Sequence, residues 1–386
     1  MTTIQRGRSP APGKPRARRL FIDWARGLAV LCMIEHHSFD AWMPVSFHGS
    51  APDRLFRFLG GNAAPSFLFL AGLAVVLGLE GQLSRGTPRF EAALASARRG
   101  GWILLGAYLF RFQEWALAFG GSPPESMLRI DILNCIGIAL VLVALCWALA
   151  ATLPGRALVF ALLCSAVFFA APHVWAAPLS GWPQLLADYV HGTPPRALFP
   201  LFPWLGYAFA GALCGLPFAW IRGARDPAGA ETRLVFGLGA GSVALWFAVL
   251  YLDRLPGTVF AQLNWWKTSP AYALLRCCSV LWILCLCWGI EKAFARFWAR
   301  LPTGPLAMLG RHSLVVYWVH VEIVYGRWTW PLRGKLSLGQ ASAFLALLLA
   351  SQVALAYFVD PVKAAIKRLW GAAGSAPAAA QPLVPE

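Results

Sequence analysis

Stretches of roughly twenty apolar residues recur along this chain, and they restrict its fold more than any other feature. About 20 such residues cross the hydrocarbon core of a bilayer as a helix. In lipid each backbone donor and acceptor must be satisfied inside its own segment, so consecutive spans of this kind have no alternative to the helix. The first run opens at residue 20, and others occupy 63–82, 100–119, 130–152, 156–174, 199–221, 234–252, 270–291, 305–325 and 338–359. The expected fold class is therefore all-α, a polytopic integral membrane protein of about ten transmembrane helices. Composition agrees, since 58% of the 386 residues are hydrophobic and 13% charged, where soluble domains carry about 25% charged residues.

A net charge of +16 would suggest nucleic acid in a soluble protein. In a membrane protein it reflects Lys and Arg gathered in cytoplasmic loops beside the anionic leaflet, so nucleic acid is excluded as a partner and membrane lipids take its place. Arg85, Arg89, Arg98 and Arg99, then Arg156, then Arg222, Arg225 and Arg233, then Lys292, Arg296 and Arg300, then Lys363, Lys367 and Arg368 mark loops that alternate with less basic ones. Both termini are expected to be cytoplasmic, in a multi-pass protein of the plasma (inner) membrane. The loop with Arg327, Arg333 and Lys335 runs against this pattern. Residues 1–19 are too basic and too rich in Pro and Gly to bury a core, which gives a cytoplasmic tail at 1–19, a transmembrane domain at 20–362 and a second tail at 363–386.

All nine cysteines fall in apolar runs, so packing explains them better than a disulfide framework or a zinc site, and no metal is assigned. Glycines and prolines inside the spans, as at Ala71-Gly72 and from Pro200 to Gly206, permit close helix contacts or bends. The outer end of the 199–221 span is expected to bend or unwind at its two prolines.

The first span carries Asp23, Arg26, Glu35, His36 and His37. On a helix, residues eleven apart lie about 20° apart in projection, so Arg26 and His37 share a face, separated by about 16 Å along the axis. Glu35 points the opposite way and requires another partner. Ionisable groups in a bilayer cost several kcal/mol unless paired or facing a wet cavity, so this stripe either builds a site or, for Asp23 and Arg26, forms a packing pair. A histidine facing an outer cavity suits general-base work, and His37 and His48 could divide that role and the stabilisation of an oxyanion. Arg26 suits a phosphate-bearing donor, because a guanidinium pairs with phosphate. Polar residues elsewhere, Arg111, Glu114, Arg129, Asp131, Asn134, Arg276, Arg311, His312, His320 and Glu322, sit near span edges, where helix-end hydrogen bonds account for each one singly. The chain has no Gly-x-Ser-x-Gly, Walker loop or dinucleotide fingerprint, which argues against serine hydrolase, ATPase and Rossmann chemistry.

Asp23-x-x-Arg26-Gly-Leu-Ala, the Met33-to-His37 end, Pro65 to Gly72, Phe199 to Gly206, and Leu309-Gly-Arg311-His-Ser313 through Tyr317 together resemble the heparan-alpha-glucosaminide N-acetyltransferase-like family of transmembrane acyltransferases, over most of residues 20–325. The arginine, ten residues, histidine spacing of Arg26 and His37 also resembles broader families that acylate sugars outside the cell. In lysosomal members an asparagine and a histidine eleven residues later form the catalytic pair; carried over, they fall on His37, where a histidine replaces the asparagine, and on His48. The resemblance implies donor binding at Arg26 and Arg311, and acetyl-CoA or another acyl-CoA as donor. It also implies a saccharide or glycoconjugate as acceptor, through a hydroxyl or an amine at the extracytoplasmic face. A homodimer is compatible with this. The alternative is a transporter or flippase for a polar glycan or lipid, since intramembrane charge and bent helices serve transport too.

Overall fold

The computed structural model describes residues 19–119, 121–255, 260, 263–298 and 304–373. Fifteen α-helices follow one another there. They are α1 (Leu20–Trp42), α2 (Ala51–Gly60), α3 (Ala63–Leu83), α4 (Arg89–Leu117), α5 (Ile132–Leu149), α6 (Leu153–Ala176), α7 (Gln184–His191), α8 (Leu201–Trp220), α9 (Pro227–Asp253), α10 (Trp265–Thr268), α11 (Pro270–Ala293), α12 (Ala295–Trp298), α13 (Pro305–Arg311), α14 (Ser313–Tyr325) and α15 (Leu338–Ala373). Polar residues start several of them by accepting from otherwise unpaired backbone N–H groups. Ser50 caps α2, Thr152 α6, Asp226 α9 and Ser269 α11, and Asp131 with Asn134 closes a capping box on α5. Asn134 thus performs the helix-end role expected of it. Among the described residues the one β-type pairing is a bridge between Ile130 and Ala197, which ties two loops together.

Two helix crossings depend on reciprocal glycines that bring the backbones into direct contact. At α3/α8 a Cβ on Gly72 would lie 1.9 Å from the carbonyl oxygen of Ala208, and one on Gly211 would lie 1.8 Å from that of Phe69. At α1/α13 the same relation joins Gly27 to Leu306 and Gly310 to Asp23, at 2.1 and 2.0 Å. Small residues are what let helix backbones meet in lipid, where burying apolar side chains against one another gains little. α1 also packs on α2, α3, α11, α14 and α15 and so occupies the centre. By contrast α6, α9 and α15 leave most of their apolar surface on the outside, where lipid tails would cover it.

Among the described residues seven segments are long and apolar enough to cross a membrane: 51–83, 132–149, 153–176, 201–223, 227–253, 270–293 and 338–369. The other three expected spans differ for physical reasons. α1 and α4 have the length, 23 and 29 residues, but α1 carries Asp23, Arg26 and Glu35, and α4 carries Arg111, Gln113 and Glu114. The run 305–325 breaks at His312 (φ −108°, ψ 21°), which leaves α14 with 13 residues. The bend expected at the start of α8 is present: Phe202, before Pro203, adopts φ −99°, ψ 119°, because a following proline disfavours the helical region.

Arg19 is drawn into the fold, its guanidinium donating to Glu231 at 2.9 Å and to the Phe218 carbonyl at 3.1 Å. Arg156, read from the sequence as a loop cation, is 3% exposed. It donates to Glu80 at 2.7 Å, and Trp147 donates to the same oxygen at 2.8 Å. α15 continues past residue 362 to Ala373, while residues 1–18 and 374–386 of the two expected tails, together with Gln262 and Arg300, lie outside the described residues.

Candidate functional site

The α1/α13 contact decides where cationic side chains gather. Gly27 and Gly310 bring two backbones together, so their chain neighbours, Arg26 before Gly27 and Arg311 after Gly310, reach the same space. Both line a cavity of about 310 Å³, with Arg99 and Ser96 from α4, Gln82 from α3, and Ser313 and Tyr317 from α14. The rest of its wall is apolar, and Ala71, Ala74 and Gly78 on one face of α3 leave the room. Among the described residues three guanidiniums and no carboxylate line it; Asp23, itself buried, lies 3.6 Å from Nε of Arg311. This Asp23–Arg311 ion pair joins α1 to α13, a partner for Asp23 that the one-helix projection could not supply. A guanidinium cluster in an otherwise apolar cavity suits a ligand with phosphates at one end and an uncharged arm at the other.

His37 lies three turns along α1 from Arg26, on the same face. Its Nδ1 is 3.0 Å from Nε2 of His320, the ring planes 13° apart. His320, on α14, is fully buried, and its Nδ1 lies 3.0 Å from the carbonyl oxygen of Val316. The ring of Tyr325 meets His37 edge-on at 5.4 Å, and that of Tyr317 meets His320 at 5.6 Å. Tyr317 therefore belongs both to the cavity wall and to the surroundings of the histidine pair. α13 and α14 provide this continuity: either side of the break at His312, Arg311, Ser313, Leu314 and Tyr317 line the cavity, and His320 follows Tyr317 on the same helix.

His48 sits in the loop after α1. Its Nδ1 is 2.9 Å from an Arg57 nitrogen and 3.5 Å from Asp53 Oδ1. Gly49, at φ +87°, turns the chain so that its own N–H and the guanidinium of Arg57 both donate to Asp53, each at 2.8 Å. Arg57 also lies 3.8 Å from Asp40, one turn beyond His37. Stacked rings fix α2 on the end of α1, Phe39 against Phe56 at 4.2 Å, with Phe47 beside both. The structure thus joins His37 to His320 and His48 to Asp53 and Arg57. Among the described residues no hydrogen bond or ring contact links His37 directly to His48.

Both carboxylate oxygens of Glu35 are buried without a hydrogen-bond partner among the described residues. Arg111 pairs with Asp131 and Glu114, and Glu322 accepts from Gln113 at 3.0 Å. No group of three or more His, Cys, Asp or Glu that could hold a metal is found among the described residues. Sequence reasoning missed Arg99, read as a loop charge, and the lining residues Gln82, Ser96 and Tyr317. A usable signal for Arg99 was its place immediately before an apolar run, 100–119. His320 was visible only as a histidine inside a span.

Residues 18–248 match the family described as heparan-alpha-glucosaminide N-acetyltransferase, catalytic. The matched stretch holds Arg26, His37, His48 and Arg99 and ends before Arg311 and His320. No curated protein matches the chain.

Proposed function

The chain belongs to the heparan-alpha-glucosaminide N-acetyltransferase catalytic family and is by class a membrane acetyltransferase-type protein; from that premise we propose that it moves an acyl group, acetyl in the first instance, from cytoplasmic acyl-CoA to a hydroxyl or amine of a saccharide at the extracytoplasmic face. Arg26, Arg311 and Arg99 hold the donor's phosphates, its arm follows the apolar wall toward Tyr317, and the thioester reaches His37. The acceptor oxygen or nitrogen bonds to the thioester carbon and the carbon–sulfur bond breaks. The acceptor's proton passes to His37 and then to the departing sulfur, so the products are an acylated sugar and a thiol. His48, held by Arg57 and Asp53 in the loop beyond α1, faces the acceptor. The observation that carries this reading is the three-arginine cavity whose wall, at Tyr317, touches the histidine pair.

The cavity volume lies near the lower end of ligand pockets, about 300–1,000 Å³, so it receives part of a CoA-sized donor and the remainder projects from it. Ten spans with both termini cytoplasmic put the arginine end of α1 inside and the His48 loop outside, in the plasma (inner) membrane. Incubation of purified protein with acetyl-labelled acetyl-CoA and extracted envelope glycans tests the function. Label should enter the glycan and free thiol should appear with it. Glycan translocation with the thioester left intact would replace this reading with transport.

A further inference from the structure

We propose that His320 is a positioning residue that fixes which nitrogen of His37 takes up the proton, an inference that rests on His37 acting as the base. Nδ1 of His320 lies 3.0 Å from the Val316 carbonyl oxygen, and a carbonyl only accepts, so that nitrogen carries a hydrogen. With the ring neutral, Nε2 of His320 is a bare acceptor, and it is the atom 3.0 Å from His37 Nδ1. His37 Nδ1 therefore donates, which leaves Nε2 as the basic atom of a neutral His37 ring. Among the described residues neither ring has a carboxylate as a hydrogen-bond partner, and an unpaired charge in the bilayer is costly, so the neutral pair is the resting state.

The geometry serves the same end. The rings are nearly coplanar, as an in-plane N–H···N bond requires, and the edges of Tyr317 and Tyr325 close on them. During transfer the acceptor's proton moves to His37 Nε2 as the new bond to the thioester carbon forms. The imidazolium so produced keeps donating through Nδ1 to His320, and Nε2 returns the proton to sulfur when the carbon–sulfur bond breaks. His320 exchanges no proton and touches no substrate. It sets the tautomer and the ring angle, and it supplies an acceptor for a cation that exists only within the reaction.

The test is steady-state acetyl transfer by the full-length protein carrying His320→Leu, His320→Gln or His37→Ala, with thermal melting as the check of fold. His320→Leu should lower kcat by roughly 10- to 100-fold, the usual worth of a group that orients a functional histidine, with the donor KM within about twofold. Glutamine presents a carbonyl that can accept from Nδ1–H, and His320→Gln should recover most of the loss. If the leucine variant fails to fold, His320→Asn replaces it, its amide being one carbon too short to reach, and should stay impaired where Gln does not. Nitrogen-15 NMR of histidine-labelled protein gives a second readout: an Nδ1–H tautomer for His37 in the parent and in His320→Gln, and a mixture in His320→Leu. Full kcat in folded His320→Leu, or equal impairment by Leu and Gln, overturns the inference. Full transfer by His37→Ala would instead remove the base itself, and is told apart by that variant alone.

Discussion

Replacement of Gly310 by alanine tests whether the α1/α13 contact builds the donor site. The added Cβ would stand 2.0 Å from the Asp23 carbonyl oxygen, and ordinary contact begins near 3.4 Å, so the two helices must part by about 1.4 Å along that line. The obstacle is backbone and cannot rotate aside. Overpacking of this kind costs about 1–3 kcal/mol. The same displacement carries Arg311 away from Arg26. A charge-assisted bond near 2.8 Å that lengthens by this much is no longer a hydrogen bond. Loss of one such bond, about 1.5–3 kcal/mol, corresponds to a donor affinity lower by about 10- to 150-fold. Calorimetric titration of detergent-purified protein with acetyl-CoA, paired with thermal melting, reads both effects. Gly27→Ala opens the same contact from the other side, with a Cβ 2.1 Å from the Leu306 carbonyl oxygen, and the double variant should cost less than the sum of the two. Gly289→Ala, whose Cβ would meet nothing within 4 Å, should leave both readouts at or above the parent values. If Gly310→Ala binds acetyl-CoA as the parent does and melts with it, the contact does not shape the site.

Arg99→Ala should weaken acetyl-CoA binding by roughly tenfold or more with little change in melting, and parent affinity in the titration would remove Arg99 from the donor site. Arg26→Lys keeps the charge but loses the planar fork, so donor affinity should fall there too; unchanged affinity, with unfolding of Asp23→Ala, would mark a packing role. His37→Ala should lower turnover by roughly 10²- to 10⁴-fold with donor binding kept. His36→Ala, turned about 100° away on the helix, should cost far less in the same assay. Labelling by a membrane-impermeant thiol reagent should mark cysteines placed at His48, His191 and Asn264 from outside and leave Gly86→Cys and Arg225→Cys unlabelled. External labelling of either of the last two would break the ten-span arrangement.

Apolar runs announced nearly every long helix, because a bilayer sets both length and composition. They marked α1 and α4 too, by the run from residue 20 and the run at 100–119, although charges lower the apolar content of both helices and α4 starts earlier, at Arg89. The break at His312 was hidden, since no proline or glycine falls at that position and its cause is tertiary. The Arg26–His37 stripe was legible because both residues lie on one helix, where spacing fixes angle and height. Arg311 came from the family motif. Arg99 and His320 reach the site only through helix packing, α4 on α5 and α14 on α1, and no spacing along the chain relates them to Arg26 or His37. His48 illustrates the opposite limit: its place in the loop was readable, yet its attachment to Asp53 and Arg57 depends on a left-handed turn at Gly49 that periodicity does not encode.

The unbroken course of α1 from Leu20 to Trp42 gives the proposed enzyme a ruler. Anchor and base stand on one rigid rod, so the interval between them is counted in residues and no loop can stretch or shorten it. A donor is then gauged by its reach: one whose phosphates seat among the arginines presents its thioester at His37 only if its arm matches the eleven-residue rise of about 16 Å. Removal of four residues between Arg26 and His37 would shorten the rod by about 6 Å and turn it by about 40°, so the chain would keep its grip on the donor and miss the carbon it has to hand over.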